Sequence, residues 1–229
     1  FYITEITAPS VNTPAIFPDN FQIAADKSSY QLDLVNNQTN PDNFPFSIWA
    51  KLIRETISEK SRELMISPPC GGIMELRHAI CRHVKAFRNM DVSPEQVIIG
   101  AGTEYLYGLI IQLLGFGKIY AVENPGYQKL AKIYECHQVR YQAIPLDQHG
   151  IDISSLEASQ ANIAHITPSH HYPTGIVTSI SRRYELLAWA AREKKRYIIE
   201  DDYDSEFRLS GQPIPTLQSI DQSEKVIYV

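Results

Sequence analysis

From about residue 32 onward the sequence alternates short apolar runs with amphipathic helical patterns, and this alternation restricts the fold more than any other feature. Residues 47–59 carry Trp49, Leu52, Ile53 and Ile57 on one helical face, with Ser47 placed as an N-cap. After the Gly71-Gly72 break, Leu76, Ala79, Ile80, His83, Val84 and Phe87 follow the i, i+3, i+4, i+7 spacing of a second helix. Strand-like runs are predicted at 97–99, 118–122, 139–144, 163–167, 196–200 and 225–229. Between them lie helices led by Gly100-Ala101-Gly102, with Leu106, Leu109, Ile110, Leu113 and Leu114 inward, and at 126–136 and 182–195. Strands and helices in this order predict an α/β fold, a three-layer αβα sandwich around a mostly parallel sheet. The 44% hydrophobic and 21% charged content supplies an ordinary globular core.

Several function classes are disfavoured by composition. The net charge is −5 with no block of Lys or Arg, so nothing marks this stretch itself as nucleic-acid binding. No apolar run is long enough to span a bilayer, and no signal peptide is evident. The three cysteines, Cys70, Cys81 and Cys136, lack metal-ligand spacing and fit reduced thiols in a cytoplasmic protein.

Chemistry-bearing residues cluster where the predicted strands end. Residues 198–207, IIEDDYDSEF, run an apolar strand into Asp201, Asp202, Tyr203 and Asp204. A parallel sheet delivers such residues to its C-terminal edge, where open α/β folds bind ligands. One carboxylate and one phenol there suit a pyridine cofactor, the acid keeping the ring nitrogen protonated and the phenol bonding the ring hydroxyl. The same acids also suit a solvated loop or a Mg²⁺ or Ca²⁺ site. GAGTE at 100–104 feeds a helix N-terminus whose free N–H groups and dipole favour a phosphate, or it is a plain connector. ENPGY at 123–127 sets Tyr127 to stack on a flat ligand or to pack its own turn. TPSHHYPTG at 167–175 forms an ordered loop in which His170, His171 and Tyr172 could reach a ligand. His165, His170 and His171 are a weaker zinc alternative.

These motifs, in this order, resemble the fold-type I pyridoxal-phosphate enzymes of the aminotransferase class I/II group, in particular their large domain. TPSHHYPTG, IIEDDYDSEFR and GGIMELRHAICRHV (residues 71–84) are most similar to the aminotransferase-like body of MocR-type bacterial regulators of the GntR family. The resemblance implies that residues 31–229 are a partial pyridoxal 5′-phosphate-binding domain. Residues 1–30 would be a linker following a winged-helix DNA-binding domain, with FYITEI as that domain's last strand. Gly102, Thr103 and Glu104 would cradle the phosphate, Tyr127 would stack on the ring, and His171 would line the site. Asp201, or alternatively Asp202, would pair with the ring nitrogen, and Tyr203 would bond the ring hydroxyl. Lys129 stands where some regulators hold an effector carboxylate.

Tyr172 replaces the Asn that enzymes of the group place before P-T-G, and His171 stands where regulators commonly have Gln. The lysine that carries the cofactor falls, by the same resemblance, beyond Val229, so no catalytic residue is assigned and this stretch is expected to be inert by itself. The implied whole is a homodimer that senses a small amine or amino-acid effector and binds DNA through its other domain. The alternatives are a pyridoxal-phosphate-dependent aminotransferase acting on an amino acid and, from the acid run alone, a metal-dependent hydrolase.

Overall fold

The structure is a computed structural model that describes residues 40–204 and 214–229. The chain divides into two units, residues 1–64 and 65–229. The expected linker at 1–30 and Glu206 lie outside the described residues.

In the first unit, helix α1 spans Phe46–Lys60. Ser47 is not its cap. The chain turns helical at Phe46 because Pro45 sits at the N-cap position and its carbonyl accepts from the N–H groups of Ile48 and Trp49.

The second unit is the sandwich. Its sheet has six strands in the order β3-β2-β1-β4-β5-β6. These are β1 (Ile119–Asn124), β2 (Arg140–Asp147), β3 (Gly150–Ile151), β4 (Ile163–Ile166), β5 (Tyr197–Glu200) and β6 (Val226–Tyr228). All neighbours pair in parallel except the short β2–β3 hairpin. Helices α2 (Met74–Arg88), α3 (Thr103–Leu114), α4 (Gln128–Cys136), α5 (Ile153–Ala158), α6 (Ile180–Ala191) and α7 (Leu217–Ile220) complete the unit.

Strand alternation builds two cores, one on each face. Tyr120, Val122, Ile163 and Ile199 point to one side and pack with Tyr107, Ile111, Ile133 and Tyr134 of α3 and α4. Ala121, Ala164, Ile166 and Ile198 point to the other and meet Leu156, Leu186, Trp189 and Leu217 from α5, α6 and α7. The three-layer αβα expectation is met. Two details differ. Residues 97–99 form no strand among the described residues; Ile99 N–H reaches only the Gly71 carbonyl, and a strand needs a ladder partner. The buried face of α3 is also rotated, with Tyr107, Gly108, Ile110 and Ile111 inward and Leu113 exposed.

Buried polar struts fix the strand ends. Glu200, the last residue of β5, accepts from Arg183 Nη1 (3.3 Å) and from the N–H groups of Leu217 and Gln218 (both 2.9 Å). Arg183 also donates to the carbonyls of Pro168 (2.8 Å) and Thr178 (3.1 Å), so one guanidinium ties both ends of the P-T-G loop to β5. Glu123 on β1 accepts from the N–H (2.9 Å) and hydroxyl (2.8 Å) of Thr167, which joins β1 to the end of β4. Arg88, at the end of α2, donates to Asp202 Oδ1 (2.6 Å), and Tyr228 of β6 donates to the other oxygen (2.5 Å). The Arg88–Asp202 pair is almost wholly buried.

Removing one partner of a buried ion pair leaves an uncompensated charge, so Arg88→Met should lower unfolding stability by about 3 kcal/mol in urea denaturation, whereas breaking the exposed Arg192–Glu157 pair should cost under about 1 kcal/mol. Burial pushes the Glu123 carboxyl up to about 7. The folded chain therefore holds this proton more tightly than the unfolded chain, and the stability so gained is complete below the unfolded pKa and lost as pH rises through about 7. The loss is on the order of 3 kcal/mol. Glu200 contributes with the same sign. Urea midpoints at pH values of about 5 and 8 should fall less for Glu123→Gln than for the unsubstituted chain.

Candidate functional site

Because β1, β4 and β5 run parallel, the segments leaving them emerge together at one sheet edge. A cleft of about 160 Å³ opens there, lined by Glu123, Tyr127, His165, Thr167 and Asp201 among others. The structure thus unites Tyr127 and Asp201, two residues singled out in the sequence from positions 74 apart.

The phosphate-turn candidates belong to the same neighbourhood. Gly102 caps α3 with φ of 96°, a conformation that favours glycine. The helix starts at Thr103, so the first-turn N–H groups of Thr103 and Glu104 are free of intrahelical partners. One turn on, the Tyr107 hydroxyl donates to Asp201 Oδ2 at 2.7 Å, tying the start of α3 to the cleft.

The two adjacent acids have separate employment. Asp202 is taken up by Arg88 and Tyr228, while Asp201 lines the cleft with Tyr107 on one oxygen. Burial raises the Asp201 pKa, the Tyr107 bond opposes that shift, and the neighbouring Asp202 charge adds to it. Asp201 is therefore the acid placed to meet a ligand.

Other candidates sit differently. His171 is buried; its Nδ1 lies 2.8 Å from Thr174 Oγ1 and its Nε2 3.5 Å from Glu123 Oε2. It braces the P-T-G loop from behind and is not among the cleft-lining residues. Tyr172 meets the Tyr127 ring edge-on, centroids 6.2 Å apart. Tyr203 meets His170 likewise at 5.9 Å, and burial pushes its hydroxyl up to about 12. Lys129 pairs with Glu104 at 2.9 Å, both exposed. The zinc alternative finds no support, since His165 and His171 are engaged by different partners and no cluster of three or more potential metal ligands occurs among the described residues.

Tyr107 was not singled out in the sequence, Glu123 was seen only as the first residue of the ENPGY turn, and His165 was considered only as a zinc ligand; its partners come from distant segments. Its Nδ1 lies 2.7 Å from the Tyr134 hydroxyl, its Nε2 is 4.0 Å from Asp201 Oδ2, and burial pushes its pKa down to about 3.

The donor set fits a phosphorylated pyridine: a part-buried, oriented carboxylate for a ring N–H, a half-exposed tyrosine beside it for the ring face, and a helix start for an anion.

Residues 31–223 match the family described as aminotransferase class I and II. The uncharacterized HTH-type transcriptional regulator YdeL of Bacillus subtilis is 38% identical over 208 residues, covering 91% of this chain and 45% of that protein. The probable rhizopine catabolism regulatory protein MocR of Rhizobium meliloti is 30% identical over 187 residues, covering 81% of this chain and 38% of its own length. The chain thus spans about half the length, or less, of the curated relatives it matches. Among solved structures, an archaeal alanine:glyoxylate aminotransferase superposes with a TM-score of 0.75 at 24% identity, covering 82% of this chain and 49% of that one, a likeness of fold alone. Pyridoxal 5′-phosphate is the cofactor of the fold-type I aminotransferases to which these structures belong. With 193 of its positions (31 to 223) spanned by that match, the chain belongs to the aminotransferase class I and II family.

Proposed function

We propose that this chain is the cofactor- and effector-sensing body of a MocR-type regulator of the GntR family, with pyridoxal 5′-phosphate held in the cleft at the ends of β1, β4 and β5. The observation that carries the proposal is the division of labour between the adjacent acids. Asp202 is consumed by the Arg88 pair, and Asp201 is left facing the cleft, oriented by Tyr107. The regulator half rests on the relatives, an HTH-type transcriptional regulator at 38% identity and a probable catabolism regulatory protein at 30%. Their greater length supports a DNA-binding domain elsewhere in the same polypeptide, joined through residues 1–30.

The residues have distinct tasks. Asp201 accepts from the protonated ring nitrogen, Tyr127 covers the ring face, and the α3 N-terminus at Gly102, Thr103 and Glu104 receives the phosphate. Tyr203 serves the ring hydroxyl. His171 supports the loop beneath Tyr172, which with Tyr127 presents two aromatic edges in place of a carboxamide. When bound, the cofactor supplies an electrophilic carbonyl to a small amine or amino acid. An effector carboxylate at Lys129 would share or compete for that exposed cation with Glu104. Effector binding would then shift a homodimer between two states and reposition its DNA-binding domains.

The full-length protein should bind pyridoxal 5′-phosphate, followed by absorbance titration, and Asp201→Ala should weaken that binding about 10- to 100-fold, the worth of one charge-assisted hydrogen bond. Lys129→Ala should leave cofactor affinity unchanged. In gel-shift assays on DNA upstream of its own gene, an amine effector should alter binding only with cofactor present. Unchanged cofactor affinity in Asp201→Ala would refute the site, and steady amino-group transfer without DNA binding would favour an aminotransferase.

A further inference from the structure

Behind Asp201 lies a buried pair that the proposed binding of a ring does not require. His165 on β4 is 1% exposed, and its Nδ1 is 2.7 Å from the hydroxyl of Tyr134 on α4, itself 1% exposed. The opposite nitrogen, Nε2, is buried without a hydrogen-bond partner and lies 4.0 Å from Asp201 Oδ2. Tyr107 packs edge-on against the His165 ring, centroids 4.8 Å apart, and donates to that same carboxylate oxygen.

We infer that Tyr134 fixes His165 as the Nε2–H tautomer, so that the Tyr107 hydrogen bond and the His165 N–H dipole, 4.0 Å away, together favour Asp201 as an oriented anion. The inference extends the cofactor reading above, because it assigns Tyr107, His165 and Tyr134 as positioning residues for the acid that meets the ring nitrogen.

The tautomer follows from three constraints. A buried tyrosine hydroxyl needs an acceptor, and Nδ1 is the one within reach; a donor there leaves the proton on Nε2. The opposite tautomer would aim the Nε2 lone pair at a carboxylate oxygen, which is repulsive in a low-dielectric interior. An imidazolium is disfavoured by burial, which pushes His165 down to about 3, and Tyr134 keeps its proton because burial raises its pKa. Asp201 needs this help. Asp202 beside it, just past β5, disfavours its ionised form, Glu123 on β1 adds a further carboxyl nearby, and Tyr107 on α3 favours the anion. With Oδ2 facing Tyr107 and His165, Oδ1 is left for the ring nitrogen.

The direct test is a long-range ¹H–¹⁵N correlation spectrum of the full-length protein labelled at histidine, with His165 assigned by the signal lost in His165→Gln. The expected result is an unprotonated Nδ1 and a protonated Nε2, unchanged between pH values of about 5 and 8. A protonated Nδ1, or an imidazolium, would overturn the inference. Tyr134→Phe should allow the two tautomers to mix. For the link to the cofactor, His165→Phe and Tyr107→Phe should each weaken pyridoxal 5′-phosphate binding about tenfold. Both should also move the ¹⁵N signal of the bound ring toward its unprotonated position, and His165→Gln should restore part of the shift. Variants that bind with an unaltered ring signal would overturn that link. A full-length protein that binds no cofactor would defeat the cofactor reading while leaving the tautomer to be decided by the histidine signal.

Discussion

Two adjacent carboxylates at the end of a buried strand repel each other and cannot both lose water without partners. The chain resolves this conflict through the period of the strand, which sends successive side chains to opposite faces. Asp202 meets a guanidinium from α2 and a phenol from β6, and Asp201 turns to the cleft and to α3. The proposed site depends on that split, because it makes one of two like residues a strut and leaves the other facing the cleft.

The same economy runs along the edge. Glu200 and Arg183 secure the loop that follows β4, and Glu123 secures its first residue through Thr167. His171 closes the loop from within by its contact with Thr174. Polar residues that looked like ligand contacts in the sequence are in good part the scaffold that lets Tyr127, Tyr172 and Asp201 hold their places. Buried acids used in this way carry raised pKa values, and the fold spends stability near neutral pH to keep its cleft ordered.

Much of the fold was legible because its signals are local. Alternating apolar runs announced the parallel sheet, and the Gly/Pro turns placed Gly102 and Tyr127 at strand or helix ends. What escaped depends on contacts between distant segments. The resemblance already placed Asp201 ahead of Asp202, but the physical reason, Arg88 engaging Asp202 from 114 residues away, lies in the fold. Tyr107 went unnoticed and His165 read as a zinc candidate until β4, β5 and α3 came together. The missing strand at 97–99 has strand composition but only one backbone bond to Gly71, which no local propensity reveals. Ser47 illustrates the converse: a good capping residue was displaced because Pro45 had already turned the chain.

The position of a bound ring tests the division of the two acids most directly. A crystal structure of the full-length protein grown with pyridoxal 5′-phosphate measures this in one step. The prediction is a ring nitrogen within hydrogen-bond distance of Asp201 Oδ1, with Tyr107 still on Oδ2 and Asp202 still paired with Arg88. A ring bound elsewhere, or an Asp202 side chain turned from Arg88 to meet it, would contradict the division of the two acids on which the site is built.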